Sequence, residues 1–500
     1  MRRTVTAAVV ALSTALSISA ASLTTSASAT GTAPVDGARA QAQQALRTAH
    51  AVVAGDAPRV DPTEALLQLR LHLADLPADQ RREAQAILAR PTDNPDPNGQ
   101  AYSVKAKRKC AGHICIHWVP TTIDAPPSKH WVNKTLKVMN HAWKYEVHRL
   151  GYRRPVSDGH RGGGSGKYDV YLKELTGQGL YGLTVAEQRT SYSRRVYSSY
   201  LILDNDFKGY PSSRKTSLEV TAGHEFFHAI QFGYDVKEDV WLKEATATWM
   251  EEQFYDAGND NRQYLPYGQV AHPTTPLDKA TTFGVYGNWL FFEYLSERYG
   301  RGVVRAIWKH AAAYRGGHEF SAQAIRSAMS KHGGLTSAFG RYASGNTAPG
   351  HTYREGGAYP ASPAGSKVTL TKSARSSGWV THHVKHLAST NVRAFPGGGL
   401  TGPAWKLRVT VNGPDSGKAP VVVVLVKRKH HPSTRTLVHL NGKGNGDTKV
   451  PFSTRRTASV TVTLANASTE FRCNRGTAYS CQGSPKVRRP AYQLKLKAVR

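Results

Sequence analysis

The sequence predicts an α+β domain followed by an all-β domain. Three features carry that prediction. Short apolar or aromatic strand patterns give way to a run of helical patterns between residues 106 and 335. Gly, Pro, Ser and Ala then crowd residues 343–366, and beyond them short apolar runs alternate with turn signals such as Asn412-Gly413 and Asn445-Gly446.

The chain opens with Arg2-Arg3, an apolar run from Val5 to Ile18 and the small residues Ala27-Ser28-Ala29. Residues 1–29 therefore have the form of a secretory signal peptide rather than a membrane span, which needs roughly 20 uninterrupted apolar residues. No later stretch reaches that length, so the mature chain is expected to be secreted, extracellular or associated with the cell wall, with no transmembrane segment. Residues 30–105 form a helical N-terminal segment with amphipathic patterns at Ala38–Ala54 and Pro62–Ala89, the second broken at Pro77. The breaker-rich run Pro91 to Gly99 reads as a linker. The segment has the placement of a propeptide and equally that of an N-terminal subdomain.

Residues 106–345 hold strand patterns at Ile114–Val119, Tyr168–Leu172 and Tyr200–Asp204, with a helix from Trp131 to Leu150 between the first two. Helical patterns follow at Leu218–Phe232, Trp241–Phe254, Val285–Tyr299, Val303–Tyr314 and Ala322–His332. Residues 346–500 contain strands at Trp405–Val411, Val421–Val426, Thr434–Leu440, Ala458–Leu464 and Tyr492–Lys497, which fit a β-sandwich or jelly roll.

The formal charge of +31 is uneven. Residues 360–500 carry 24 Lys and Arg against Asp415, Asp447 and Glu470, a net +21. Such a surface seeks anionic cell-wall polymer or another polyanion at low salt, or it simply keeps the domain in solution. Cysteines fall as two close pairs, Cys110 with Cys115 and Cys473 with Cys481, whose natural pairing in an exported chain is two local disulfides. A rival reading gathers Cys110, His113, Cys115 and His117 as a second zinc site, at spacings cramped for one.

The stretch Thr221-Ala222-Gly223-His224-Glu225-Phe226-Phe227-His228 contains H-E-x-x-H inside an apolar helical pattern. Positions i and i+4 share a helix face, so His224 and His228 can ligate one ion, with Glu225 beside it as a proton acceptor. A second helix follows after a short loop, Trp241-Leu242-Lys243-Glu244-Ala245-Thr246-Ala247. Packed antiparallel, it can deliver Glu244 as third ligand to one catalytic Zn2+, leaving a fourth position open. Glu251 and Glu252, further along, read as solvated helix charges. Thr248, one turn after Glu244, is the nominal partner for orienting an imidazole, with Asp235 and Asp239 as alternatives.

HEFFH followed by WLKEATA resembles the gluzincin metallopeptidases, in which the H-E-x-x-H helix precedes a helix bearing a Glu ligand. Together with KYDVYL and YLILDNDF, HEFFHAIQFGYD is similar to a family of secreted bacterial metalloproteases, over roughly residues 106–335. The resemblance implies a thermolysin-like catalytic domain with a strand near the active-site helix that receives an extended protein or peptide substrate. By position and resemblance, Tyr286 is the candidate for stabilising the developing oxyanion. No Gly-rich exopeptidase motif is found, and the third His of metzincins is missing after His228, so an endopeptidase is favoured. In that chemistry zinc lowers the pKa of a bound water toward about 7, and Glu225 takes its proton and passes it to the leaving amine. The competing expectation is a wall- or polyanion-binding secreted protein whose metallopeptidase-like domain is latent or inactive. The retained ligand set and Glu225 argue against degeneration.

Overall fold

The computed structural model describes residues 33–57, 60–93, 101–280, 283–315 and 318–500 of the 500-residue chain. The signal-peptide expectation at residues 1–29, and residues 94–99 of the expected linker, lie outside the described residues. Among the described residues no helix is long and apolar enough to cross a membrane.

Three helices open the described chain: α1 (Ala33–Ala54), α2 (Pro62–His72) and α3 (Ala78–Ile87). Asp61 caps α2, its carboxylate accepting the Glu64 N–H, with Pro62 in the first turn where no backbone donor is needed. Pro77 separates α2 from α3, as its ring and missing N–H dictate. The apolar faces of these helices pack together and onto one face of the following sheet, through Leu46, Leu66, Leu69 and Ile87 against Leu183, Val185, Tyr200 and Ile202.

That sheet has five strands: β1 (Lys107–Ala111), β2 (Ile114–Trp118), β3 (Tyr168–Lys173), β4 (Gly182–Arg189) and β5 (Tyr197–Asp204). Their spatial order is β1-β2-β3-β5-β4, parallel at β2-β3 and β3-β5 and antiparallel at both outer pairs. Helix α4 (Lys129–Trp143) connects β2 toward β3 and runs on into a π-helical stretch to Arg149, and a single turn, α5 (Arg161–Gly164), precedes β3. The edge strands β1 and β4 escaped the sequence reading for a physical reason. Lys107-Arg108-Lys109 is an exposed charged edge, and β4 is buried on both faces from Gly182 to Glu187, so neither shows apolar alternation.

The helical half follows: α6 (Arg214–Phe232), α7 (Val240–Phe254), the single turn α8 (Gly284–Gly287), α9 (Trp289–Tyr299), α10 (Gly302–Ala311), α11 (Ser321–Met329) and α12 (Leu335–Gly345). The expected continuous helix Val285–Tyr299 is broken at Asn288, whose side chain accepts the Gln269 N–H and donates to the Leu277 carbonyl.

The rest of the described chain is a β-sandwich. One sheet holds β6 (Ser366–Leu370), β8 (Ala388–Pro396), β10 (Pro420–Arg428), β11 (Thr434–Leu437) and β13 (Thr457–Asn466), in the order β11-β10-β13-β8-β6. The other holds β7 (Ser376–His383), β9 (Lys406–Asn412), β12 (Asn445–Pro451) and β16 (Ala491–Val499), in the order β12-β9-β16-β7. Val392, Val422, Val424 and Val462 of the first sheet meet Leu407, Val409, Leu494 and Leu496 of the second. A small ribbon of β14 (Phe471–Arg472) and β15 (Ser484–Pro485) completes it. Helix α12, absent from the sequence expectation, packs on β10 and β13. Gly340 permits the approach, since a Cβ there would stand 2.4 Å from Val421.

Both expected disulfides are formed, Cys110–Cys115 across the β1-β2 hairpin and Cys473–Cys481 beside the β14-β15 ribbon. The rival second zinc site is thereby overturned. His113 stacks on Trp143, and His117 bonds Asp169.

Candidate metal centre

Helices α6 and α7 lie against one another, and both are almost wholly buried. A Cβ at Gly223 would stand 3.0 Å from the Phe254 ring, so the glycine preceding His224 lets the two helices close. This brings His224, His228 and Glu244 to within 4.8 Å of one another, ligand atom to ligand atom. His224 Nε2 and His228 Nε2 stand 3.6 and 3.4 Å from Glu244 Oε2. His228 Nε2 and Glu244 Oε2 are buried with no hydrogen-bond partner. Orphaned buried groups of this kind cost about 1–3 kcal/mol each, and a cation between them removes that cost. The spacing fits: bonds of about 2.0–2.1 Å to a tetrahedral ion place its ligand atoms roughly 3.4 Å apart.

The outer nitrogens fix the imidazoles. His224 Nδ1 lies 2.7 Å from Glu251 Oε1, and His228 Nδ1 lies 2.8 Å from Gln231 Oε1. Gln231 Nε2 donates to the Lys243 carbonyl and to Thr246 Oγ1, so its oxygen is the atom left to face His228. Nδ1–H then donates in both rings, which leaves both Nε2 atoms facing Glu244 as the positions a cation would take.

Charge settles accordingly. Burial alone would lower the His224 pKa, but the carboxylates of Glu244 and Glu251 outweigh it and hold that imidazole well above its usual value. Burial would raise Glu244, yet His228 and His224 hold it well below the usual carboxylate range. Burial pushes Glu251 up to about 7 against the pull of His224. A cation entering here displaces protons from the imidazoles, so its affinity falls as pH falls.

Glu225 lines a cavity with His224, its Oε2 accepting the Thr184 hydroxyl at 2.8 Å and the Thr63 hydroxyl at 3.3 Å. Tyr286, on α8, lines that cavity with its ring centroid 6.3 Å from His224, and its hydroxyl donates to Asp61 Oδ2 at 2.6 Å. The cavity, about 160 Å3, is also lined by Glu251, Tyr264 and Gly182.

Three expectations for the surroundings fail. Thr248 donates to the Glu244 carbonyl within its own helix and touches neither imidazole. Asp235 pairs with Arg195, while Asp239 accepts the Ser321 hydroxyl and the Cys481 N–H. Glu251 and Glu252 are buried rather than solvated, the first on His224 and the second on Asn261. The sequence did hold a signal for the true partners. Glu251 follows Glu244 by seven positions and Gln231 follows His228 by three, so each shares a helix face with its ligand. A second acidic cluster, Glu252, Asp256 and Glu355, is occupied by Asn261, Arg354 and Arg262.

The chain matches no protein-family model and no curated protein sequence. Among solved structures it is similar to the pre-peptidase C-terminal domain of a Bacillus anthracis collagenase, at 7% identity over 27% of this chain and 97% of that one, with a TM-score of 0.17. A periplasmic inhibitor of g-type lysozyme from Escherichia coli matches at 13% identity over 27% of this chain and 100% of its own, with a TM-score of 0.15. A family GH115 4-O-methyl-α-glucuronidase matches at 8% identity over 70% of this chain and 53% of its own, also at 0.15. Likeness this slight carries no argument about fold or activity.

Proposed function

We propose that this protein is an exported zinc-dependent endopeptidase of gluzincin type. The observation that carries the proposal is the pair of buried, partnerless ligand atoms, His228 Nε2 and Glu244 Oε2, grouped with His224, which lines one cavity together with Glu225. Two imidazoles and one carboxylate are the ligand set of a catalytic zinc with an open fourth position. Zinc held there supplies Lewis acidity, which lets a water lose its proton near neutral pH and polarises a substrate carbonyl.

The chain's own residues supply the rest. Glu225, oriented by the Thr184 hydroxyl, accepts the proton of the attacking water and returns it to the departing amine. Tyr286, once free of Asp61, offers its hydroxyl to the oxygen that gains charge. Strand β4 is the antiparallel edge of the mixed sheet beside α6, an arrangement suited to adding an extended peptide as a further strand. The two disulfides suit an oxidising, extracellular setting. The sandwich, with the net +21 of residues 360–500, serves as a polyanion-binding module that tethers the enzyme or gathers substrate.

The test is metal analysis and hydrolysis of denatured casein by the secreted chain. One zinc per chain and an activity abolished by chelator and by Glu225→Gln are expected. A Glu225→Gln protein that keeps its zinc and its full activity sinks the mechanism. Salt-sensitive binding to anionic polymer without any proteolysis would instead favour the latent, polymer-binding alternative.

A further inference from the structure

Helix α2 does more than cover a sheet face. Its N-terminal turn reaches the proposed metal centre, and its first three turns engage the groups that an incoming peptide needs. Asp61 Oδ2 accepts a 2.6 Å hydrogen bond from the Tyr286 hydroxyl. Thr63 donates to Glu225 Oε2 and accepts the Thr184 N–H at 3.0 Å. Arg70 Nε donates to the Ala186 carbonyl at 2.9 Å. Thr184 and Ala186 have equal parity on β4, so their backbone groups on this side are the outward ones of an edge strand, the atoms through which an added strand would pair.

We propose that the segment Asp61–Arg70 is a built-in inhibitor seated in the substrate groove of the metal centre, so that the chain as folded keeps only the residual activity of a minor open population. The proposal rests on the peptidase reading and specifies its regulation. The segment closes three things together: the hydroxyl that would meet the oxyanion, the approach to Glu225, and the backbone edge that would align the substrate. A helix satisfies the edge atoms through side chains, presenting no extended peptide bond to the metal. It therefore fills the groove without offering a scissile bond.

The seat is reinforced at several points. Glu64 pairs with Lys243 of α7, one residue before the ligand Glu244. Leu67 packs with Ala186 of β4, Phe232 at the end of α6, and Val236. At the far end of the same N-terminal unit, Arg90 is buried among Asp158, Asp169 and Glu187. Asp61 itself sets a carboxylate in the metal cavity beside Glu225 and Glu251, where substrate would have to enter. Opening at Asp61–Arg70 also lifts Leu66 and Leu69 from Leu183, Val185, Tyr200 and Ile202, whereas loss of all three helices would remove Leu46 and Ile87 from that cluster as well.

The experiment compares the zinc-loaded full-length chain with Asp61→Ala and Arg70→Ala, using an internally quenched peptide as substrate. If the open groove is about a tenth populated or less, each substitution raises kcat/KM roughly tenfold or more over wild type. Variants no faster than a wild type that Glu225→Gln inactivates would show α2 to be a permanent wall, overturning the inhibitor and leaving the peptidase reading intact. A second readout needs no activity: amide exchange across Gly182–Arg189 in metal-free chains. Faster exchange at Thr184 in Thr63→Val and Arg70→Ala supports coverage of the edge, and unchanged exchange overturns it. If no chain hydrolyses the peptide, the peptidase reading falls and the exchange result alone decides the groove.

Discussion

Helix α7 and strand β9 each contribute side chains to a core, and they bury opposite chemistries. Along β9 the exposure alternates: Lys406 and Arg408 face water, while Leu407, Val409 and Val411 enter a core of apolar side chains. Along α7 every residue from Trp241 to Phe254 is buried, including Lys243, Glu244, Glu251 and Glu252. Each charge on α7 has a partner except at one atom. Lys243 meets Glu64, Glu251 meets His224, Glu252 meets Asn261, and Glu244 Oε2 meets nothing but two imidazole nitrogens. The sandwich keeps the binary pattern that stability alone demands, and α7 breaks it at the candidate ligand Glu244.

Breaking the ligand set should have the largest effect. Glu244→Ala or His228→Ala is expected to remove zinc from the purified chain, by metal analysis, and with it peptide hydrolysis; Glu225→Gln should keep the metal and lose about 10²–10⁴-fold in rate. An equally buried residue of the sandwich should behave in the reverse way. Leu464→Ala, in the apolar core, should lower stability by about 2–5 kcal/mol in urea titration while zinc content stays whole. Loss of zinc from that variant would show the two regions to be coupled.

Smaller effects sharpen the contrast. Glu251→Gln should weaken zinc affinity about 10- to 100-fold in chelator competition by loosening the His224 ring, while Thr248→Val should not. The polar burial of the helical half should also appear as pH dependence. Burial pushes Glu293 up to about 7 from its usual 4.5, with Glu297 adding to it, and pushes Glu252 up to about 8. The folded state thus favours their neutral forms. Their contribution is whole below the unfolded value and is lost as pH rises through the folded one, so the urea midpoint should fall from about pH 5 to about pH 8, less steeply in Glu293→Gln. Smallest of all, Lys406→Glu on the outer face of β9 should change stability by less than about 0.5 kcal/mol, yet lower the salt needed to elute the chain from an anionic resin.

Much of this was legible in the chain itself. The two halves, the α6 and α7 helices and the three candidate ligands follow from local periodicity: i and i+4 put His224 and His228 on one face, apolar-polar alternation in sequence marks β9, β13 and β16, and an unbroken apolar run marks β10. The cysteine pairs were legible because each is only a hairpin or short ribbon apart. The strands that were missed are β1, β4, β6, β7, β8 and β12, which are edges, exposed runs or strands of mixed polarity, and the two-residue β14 and β15, too short to show any pattern.

What the sequence by itself determined is the identity and facing of groups that sit within a turn or two of each other. Tertiary structure alone decided which distant groups meet. Asp61 reads locally as nothing more than the cap of α2, yet it lies on Tyr286, 225 positions away. Thr63 reads as a first-turn residue, yet it joins the edge of β4 to Glu225. Periodicity records which side of an element faces inward. It holds no record of what stands opposite, because that contact depends on how three helices, a sheet edge and the helices carrying the candidate ligands close over one another.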